Sequence, residues 1–160
     1  MNKLAKLALD QGLALNHRMS GVTANSLDWL FKRDTLIKSG RTWFELVHDG
    51  DLMSVRYYEL PDEDEIGLVD GSTMPIRREQ HPVPLVLVPP LGVTTETFDL
   101  MPQRSLVRYL VARGFKVYLL DWGKPKKEHA HLNLKDYSYT MLGTALEKIR
   151  AHSGSQDLSL

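Results

Sequence analysis

The sequence predicts an α/β domain on a mixed sheet: an antiparallel hairpin at one side, parallel strands joined by crossover helices, and a helical extension in front. Three observations carry this. Two apolar runs, at residues 83–88 and 116–120, lack the polar alternation of a half-exposed strand and read as strands covered on both faces. Between and after them lie stretches with helical spacing, each stopped by a glycine. Upstream, two runs rich in aromatic and β-branched residues flank the turn His48-Asp49-Gly50-Asp51.

Taken in order, Leu4, Leu7, Ala8 and Leu15 fall near helical spacing, and a second helical stretch covers residues 25–37. Together they predict a helical extension over residues 1–38 whose apolar face covers the domain, in preference to docking on a partner or lipid surface. Residues 43–47 and 52–60 form the hairpin. Residues 61–80 are acidic, then turn-rich around Asp70-Gly71, with little apolar content, and are expected as a solvated loop. The strand at 83–88 ends abruptly at Pro89-Pro90. Pro102 then precedes a helix carrying Leu106, Tyr109, Leu110 and Ala112, which Gly114 stops. The strand at 116–120 ends at Asp121-Trp122-Gly123 and Pro125. A helix over 134–152 is stopped by Gly154, and residues 157–160 begin another strand. Alternation of strand and helix demands right-handed crossovers, so 83–88 and 116–120 are expected to be adjacent and parallel.

Charge excludes several partners. Twenty Lys plus Arg balance twenty Asp plus Glu, which removes the electrostatic case for nucleic acid or an anionic membrane. The hydrophobic share of 42% and charged share of 25% are those of an ordinary globular chain. There is no cysteine, hence no disulfide framework, thiolate metal site or cysteine nucleophile within these residues. Asp10 and Gln11 interrupt the opening before it reaches signal-peptide length, and no run approaches the roughly 18 apolar residues of a membrane span. A cytoplasmic protein without a transmembrane segment is expected.

In open parallel sheets ligands bind beyond the carboxyl ends of the strands, here residues 89–99 and 121–127. Pro89 and Pro90 have no N–H, so an oxyanion held by this loop would take the backbone donors of Leu91 or Gly92. The plainer alternative is that the prolines stop the strand and the glycine turns the chain. Asp121, at a strand end, is expected to cap the following turn rather than to act in catalysis, and Trp122 to pack. His129 and His131 lie close together, yet no third ligand has suitable spacing, so no metal is expected. Lys124, Lys126 and Lys127 around Glu128 read as a solvated loop. Neither a P-loop nor G-x-G-x-x-G is present. No serine occupies a G-x-S-x-G elbow: Ser105 and Ser138 fall in helical patterns, and Ser153 and Ser155 flank Gly154 without a strand before them. No catalytic residue is assigned.

Three blocks together resemble the polyhydroxyalkanoate synthases and their α/β-hydrolase relatives. Ser39-Gly40-Arg41-Thr42-Trp43-Phe44-Glu45-Leu46-Val47, with residues 52–58, resembles that family's first hairpin. Residues 84–92, with Asp99-Leu100 and Ser105-Leu106-Val107, resemble its strand, oxyanion loop and first helix. Residues 114–123 with Pro125, Gly-Phe-Lys-Val-Tyr-Leu-Leu-Asp-Trp-Gly, resemble its fourth strand, and residues 134–137 the start of the next helix. The resemblance covers residues 39–160 and implies the N-terminal half of an α/β-hydrolase domain. It also implies a parent acyltransferase that joins hydroxyacyl groups from coenzyme A thioesters through a covalent nucleophile, with an acyl thioester as substrate and no further cofactor. The family's nucleophile, triad aspartate and triad histidine would all lie beyond Leu160, so Asp121 is not that aspartate. What carries over is the backbone of Leu91 and Gly92, with Asp121 and Trp122 as neighbours of the site. The loop Leu91-Gly92-Val93-Thr94-Thr95 departs from the Asn- and Tyr-bearing version common in synthases, which leaves a related hydrolase, or an accessory binding protein, as alternatives. A sheet edge ending in Leu158 and Leu160, without charge or proline, is expected to self-associate.

Overall fold

In the computed structural model residues 39–160 are described, and they form one compact unit, Ser39–Leu160; the two expected helices at 4–15 and 25–37 lie outside the described residues. Strands β1 (Glu45–Asp49) and β2 (Ser54–Tyr58) pair antiparallel, as the turn at 48–51 requires. Their register slips between Leu46 and His48, a bulge that bends β1 at the rim of the sheet.

The buried run became a central strand. Strand β6 (Val117–Asp121) pairs antiparallel with β2 along its length, from Ser54 opposite Asp121 to Tyr58 opposite Val117. On its other side it pairs parallel with β5 (Leu85–Leu87), Leu85 opposite Val117. The sheet order is β1-β2-β6-β5, and beyond β5 a parallel bridge joins Leu85 to Ser159. Two hydrogen bonds make it: Val86 N–H to the Ser159 carbonyl at 2.7 Å and Ser159 N–H to the Pro84 carbonyl at 2.9 Å. The expected parallel neighbours are thus adjacent, and residues 157–160 do begin a pairing segment.

Consecutive side chains of β6 point to opposite faces, and both faces are covered. Tyr118 and Leu120 join Met53, Val55 and Val86 under Ala145 and Ile149 of helix α2 (Leu142–Ser153). Val117 and Leu119 join Tyr58 under Val107 and Val111 of helix α1 (Leu106–Ala112). Each fully buried aliphatic side chain among these contributes about 1.5–3 kcal/mol. Helix α1 begins where Ser105 Oγ accepts the Arg108 N–H at 3.0 Å; Pro102 opens a separate 3₁₀ turn, Pro102–Arg104, instead of the helix itself. Helix α2 is also shorter than the spacing predicts, because Asp136–Met141 is wound as a π-helix before it, and Gly154 closes it.

A further expectation fails. The segment 61–80 is not a bare loop: β3 (Glu65–Gly67) and β4 (Thr73–Pro75) pair antiparallel as a separate two-stranded sheet. Ile66 and Ile76 are buried against Ala112 of α1. Two isoleucines in an otherwise charged stretch suffice to fasten it, because each alternates with residues facing water.

Candidate functional site

The carboxyl ends of β5 and β6 lie side by side because the strands are parallel, and the chain leaves both through tight turns. After β5, Val93 N–H reaches back to the Pro90 carbonyl at 3.1 Å. This closes a turn over residues 90–93, with Gly92 at φ 83, the value a type II turn asks of its third residue. Among the described residues the N–H groups of Leu91 and Gly92 donate to no protein acceptor, so both are left for solvent or a ligand.

After β6, Asp121 caps the next turn as its position suggested: Oδ1 accepts the Gly123 N–H at 2.9 Å, while Oδ2 pairs with Arg56 of β2. Arg56 also lies over the Phe44 ring, 4.5 Å from its centroid. Trp122 folds inward, 8% exposed, and its Nε1–H donates to the Pro89 carbonyl at 2.7 Å.

A cavity of about 360 Å³ opens between these two turns. Gly92, Asp121 and Trp122 line it; Leu91 stands beside it, 46% exposed, with its side chain outside the lining. Residues 93–96 and Lys124, within the strand-end segments 89–99 and 121–127, also line it, while Arg56 lies outside those segments and was missed. Arg56 had a readable signal, a single charge inside the apolar strand Ser-Val-Arg-Tyr-Tyr, but its partner 65 residues away did not. Glu96 holds its carboxyl below the usual range, chiefly through the Thr94 hydroxyl and then its own backbone N–H. The loop is further anchored by Asp99, 3% exposed, whose carboxylate takes both the N–H and the hydroxyl of Thr42, at 2.9 and 2.7 Å.

A second hollow of about 390 Å³, lined by Thr42, Glu63 and Arg108 among others, lies at the opposite strand ends, beyond Tyr58 where it faces Val117. No turn following a parallel strand reaches it, so the 360 Å³ cavity is the candidate site.

The two histidines have different hydrogen-bond partners. His129 is buried, with Nδ1 accepting the Lys126 N–H at 3.0 Å and Nε2 facing Asp51 at 3.1 Å. His131 donates elsewhere, to the Glu128 carbonyl at 2.8 Å. Asp51, Glu128 and His129 bring ligand atoms within 4.8 Å of one another. A ring whose Nδ1 accepts a backbone N–H carries its proton on Nε2, though, and that nitrogen then has no lone pair for a metal. Glu128 meanwhile faces Lys126 Nζ at 3.4 Å. This donor set suits a polar clamp between two loops better than a cation. No helix among the described residues is long and apolar enough to cross a membrane.

No family model matches the chain. Individual proteins do. Over 124 residues, 78% of this chain and 22% of the relative, it is 30% identical to the poly(3-hydroxyalkanoate) polymerase subunit PhaC of Haloferax mediterranei. It is 27% identical to that of Haloarcula marismortui over 128 residues, 76% of this chain and 24% of the relative. The subunit of Cupriavidus necator is 33% identical over 86 residues, 54% of this chain and 15% of the relative. The chain therefore spans about a quarter or less of the length of these curated relatives.

Proposed function

We propose that this poly(3-hydroxyalkanoate) synthase-like chain is the front part of an acyltransferase of α/β-hydrolase fold, supplying one wall and the oxyanion donors of its active site. The observation that carries this is the sheet order. Hairpin, then β6, then β5, then the bridge at Ser159 places the Gly92 turn between the Asp121–Trp122 turn and whatever follows Leu160. A nucleophile raised on the turn after that next strand would face the free N–H groups of Leu91 and Gly92.

In this reading the two N–H groups stabilise the oxyanion formed when the nucleophile attacks an acyl thioester, and the attacking group and its base come from downstream sequence. The substrate is a hydroxyacyl thioester of coenzyme A, and the compartment is the cytoplasm. A related hydrolase would use the same wall; the nucleophile separates the two, since a thiolate suits thioester exchange and a serine suits ester hydrolysis. Pairing of two copies through the edge at Leu158 and Leu160 belongs to the same proposal.

The test is translation past codon 160 in the source DNA. A glycine-flanked elbow within about ten residues, G-x-C-x-G for the synthase or G-x-S-x-G for a hydrolase, is expected. An open frame that runs on with neither would remove the hydrolase fold, and a stop directly after the codon would favour an accessory protein.

A further inference from the structure

We propose that Trp122 is a positioning residue, whose indole N–H holds the Pro89 carbonyl and thereby fixes where the Leu91 and Gly92 donors point; this rests on the reading of that loop as an oxyanion loop. Among the described residues, 89–92 donate no backbone hydrogen bond to the protein. Pro89 and Pro90 have no N–H to donate, and among the described residues the Leu91 and Gly92 groups have no protein acceptor. Its fastening on the β6 side is the Pro89 carbonyl, buried and paired with Nε1 of Trp122 at 2.7 Å across 33 residues. From that carbonyl the path to the donors is stiff. It crosses the planar 89–90 peptide, then Pro90 with its ring-locked φ, then the turn closed by Val93 N–H on the Pro90 carbonyl.

The indole has one ring partner, and the residues on either side of it are tied down. Tyr137, on the π-helix Asp136–Met141, meets it edge to face, with ring centroids 5.7 Å apart. Before it, Asp121 is tied to Arg56; after it, Gly123 is bound to Asp121 and packed on the Leu52 carbonyl. The same bond satisfies the one polar atom of a buried indole, so the Trp122 ring and the Pro89 carbonyl fix each other. Single-turn π-helices within helical segments recur at functional sites, and here that turn carries the residue that orients the indole.

The experiment uses the full chain and ¹⁵N NMR, with Trp43, 64% exposed, as internal reference. The Trp122 indole proton should exchange with D₂O at least about tenfold more slowly than that of Trp43. Replacing Trp122 by its benzothienyl isostere, which keeps the shape and removes the donor, should lower the backbone order parameters of Leu91, Gly92 and Val93. The amides of residues 117–120 should meanwhile keep their exchange protection within about threefold. Trp122→Phe should do the same with a larger loss of melting temperature. Indole exchange as fast as that of Trp43, or unchanged order at residues 91–93 in the isostere, would overturn the proposal. The oxyanion reading fails separately, by a downstream sequence without an elbow, and leaves these NMR results standing.

Discussion

Gly92 and Gly123 adopt nearly the same backbone, φ 83 and 67, but for a Cβ they differ entirely. At Gly92 an added Cβ meets nothing within 4 Å, so Gly92→Ala carries only the left-handed strain, about 1 kcal/mol. At Gly123 it would stand 2.1 Å from the Leu52 carbonyl oxygen, which is backbone and cannot swing away, so Gly123→Ala should cost about 3 kcal/mol or more. Urea melts of the two variants side by side check this, and equal losses would contradict it. Tyr118 gives a second prediction. Burial first, then the charges of Tyr57 and Glu45, raise its phenol above the ordinary tyrosine value. A raised folded pKa means the folded state keeps its proton after the unfolded chain has lost it. The stabilisation is therefore complete below about pH 10 and drains away as pH climbs above it. Urea midpoints measured from pH 8 to 11 should fall, and Tyr118→Phe should flatten part of that fall. The same hydroxyl meets His152 Nδ1 at 2.8 Å, while His152 Nε2 faces Glu45 at 3.3 Å. Tyr118→Phe should therefore also lower stability at neutral pH.

Between strands, the Arg56–Asp121 pair ties β2 to the end of β6 with both side chains about one-fifth exposed, 20% and 23%. Asp121→Asn keeps an oxygen for the Gly123 N–H and loses the charge, an expected cost of about 1 kcal/mol; Asp121→Ala loses both and should cost about 2 kcal/mol. Thermal melts should rank them in that order. The central strands were readable because Lys116-Val-Tyr-Leu-Leu120 has no polar interruption, which a sheet covered on both faces produces and a half-exposed one does not. The β3–β4 pair was not, because strands of three residues, with Ile66 inside β3 and Ile76 just past β4, leave too little alternation to detect. Likewise the spacing of residues 134–152 gives one helix, since an α-turn and a π-turn place nearly the same side chains on the buried face. Of the cavity, the two strand-end turns were legible because proline and glycine mark them. Arg56 and the Asp99 anchor of the loop were not, since their roles depend on partners far along the chain.

For the chain taken by itself, the proposed function implies no acyl transfer. Free N–H donors without a nucleophile and its base complete only part of the constellation, so purified residues 1–160 should neither hydrolyse nor polymerise acyl thioesters above background. Turnover that survives rigorous purification and disappears in Gly92→Pro would contradict this. The proposed self-association has a limit set by the other rim of the sheet. Strand β1 is bulged at Leu46–His48 and carries Glu45 and Asp49, both exposed, features that discourage a further strand. Such a sheet has a combining valence of one: two copies that meet through their open sides consume both, and no filament can grow from the pair. Sedimentation over a concentration series should therefore climb from monomer to twice that mass and level off there.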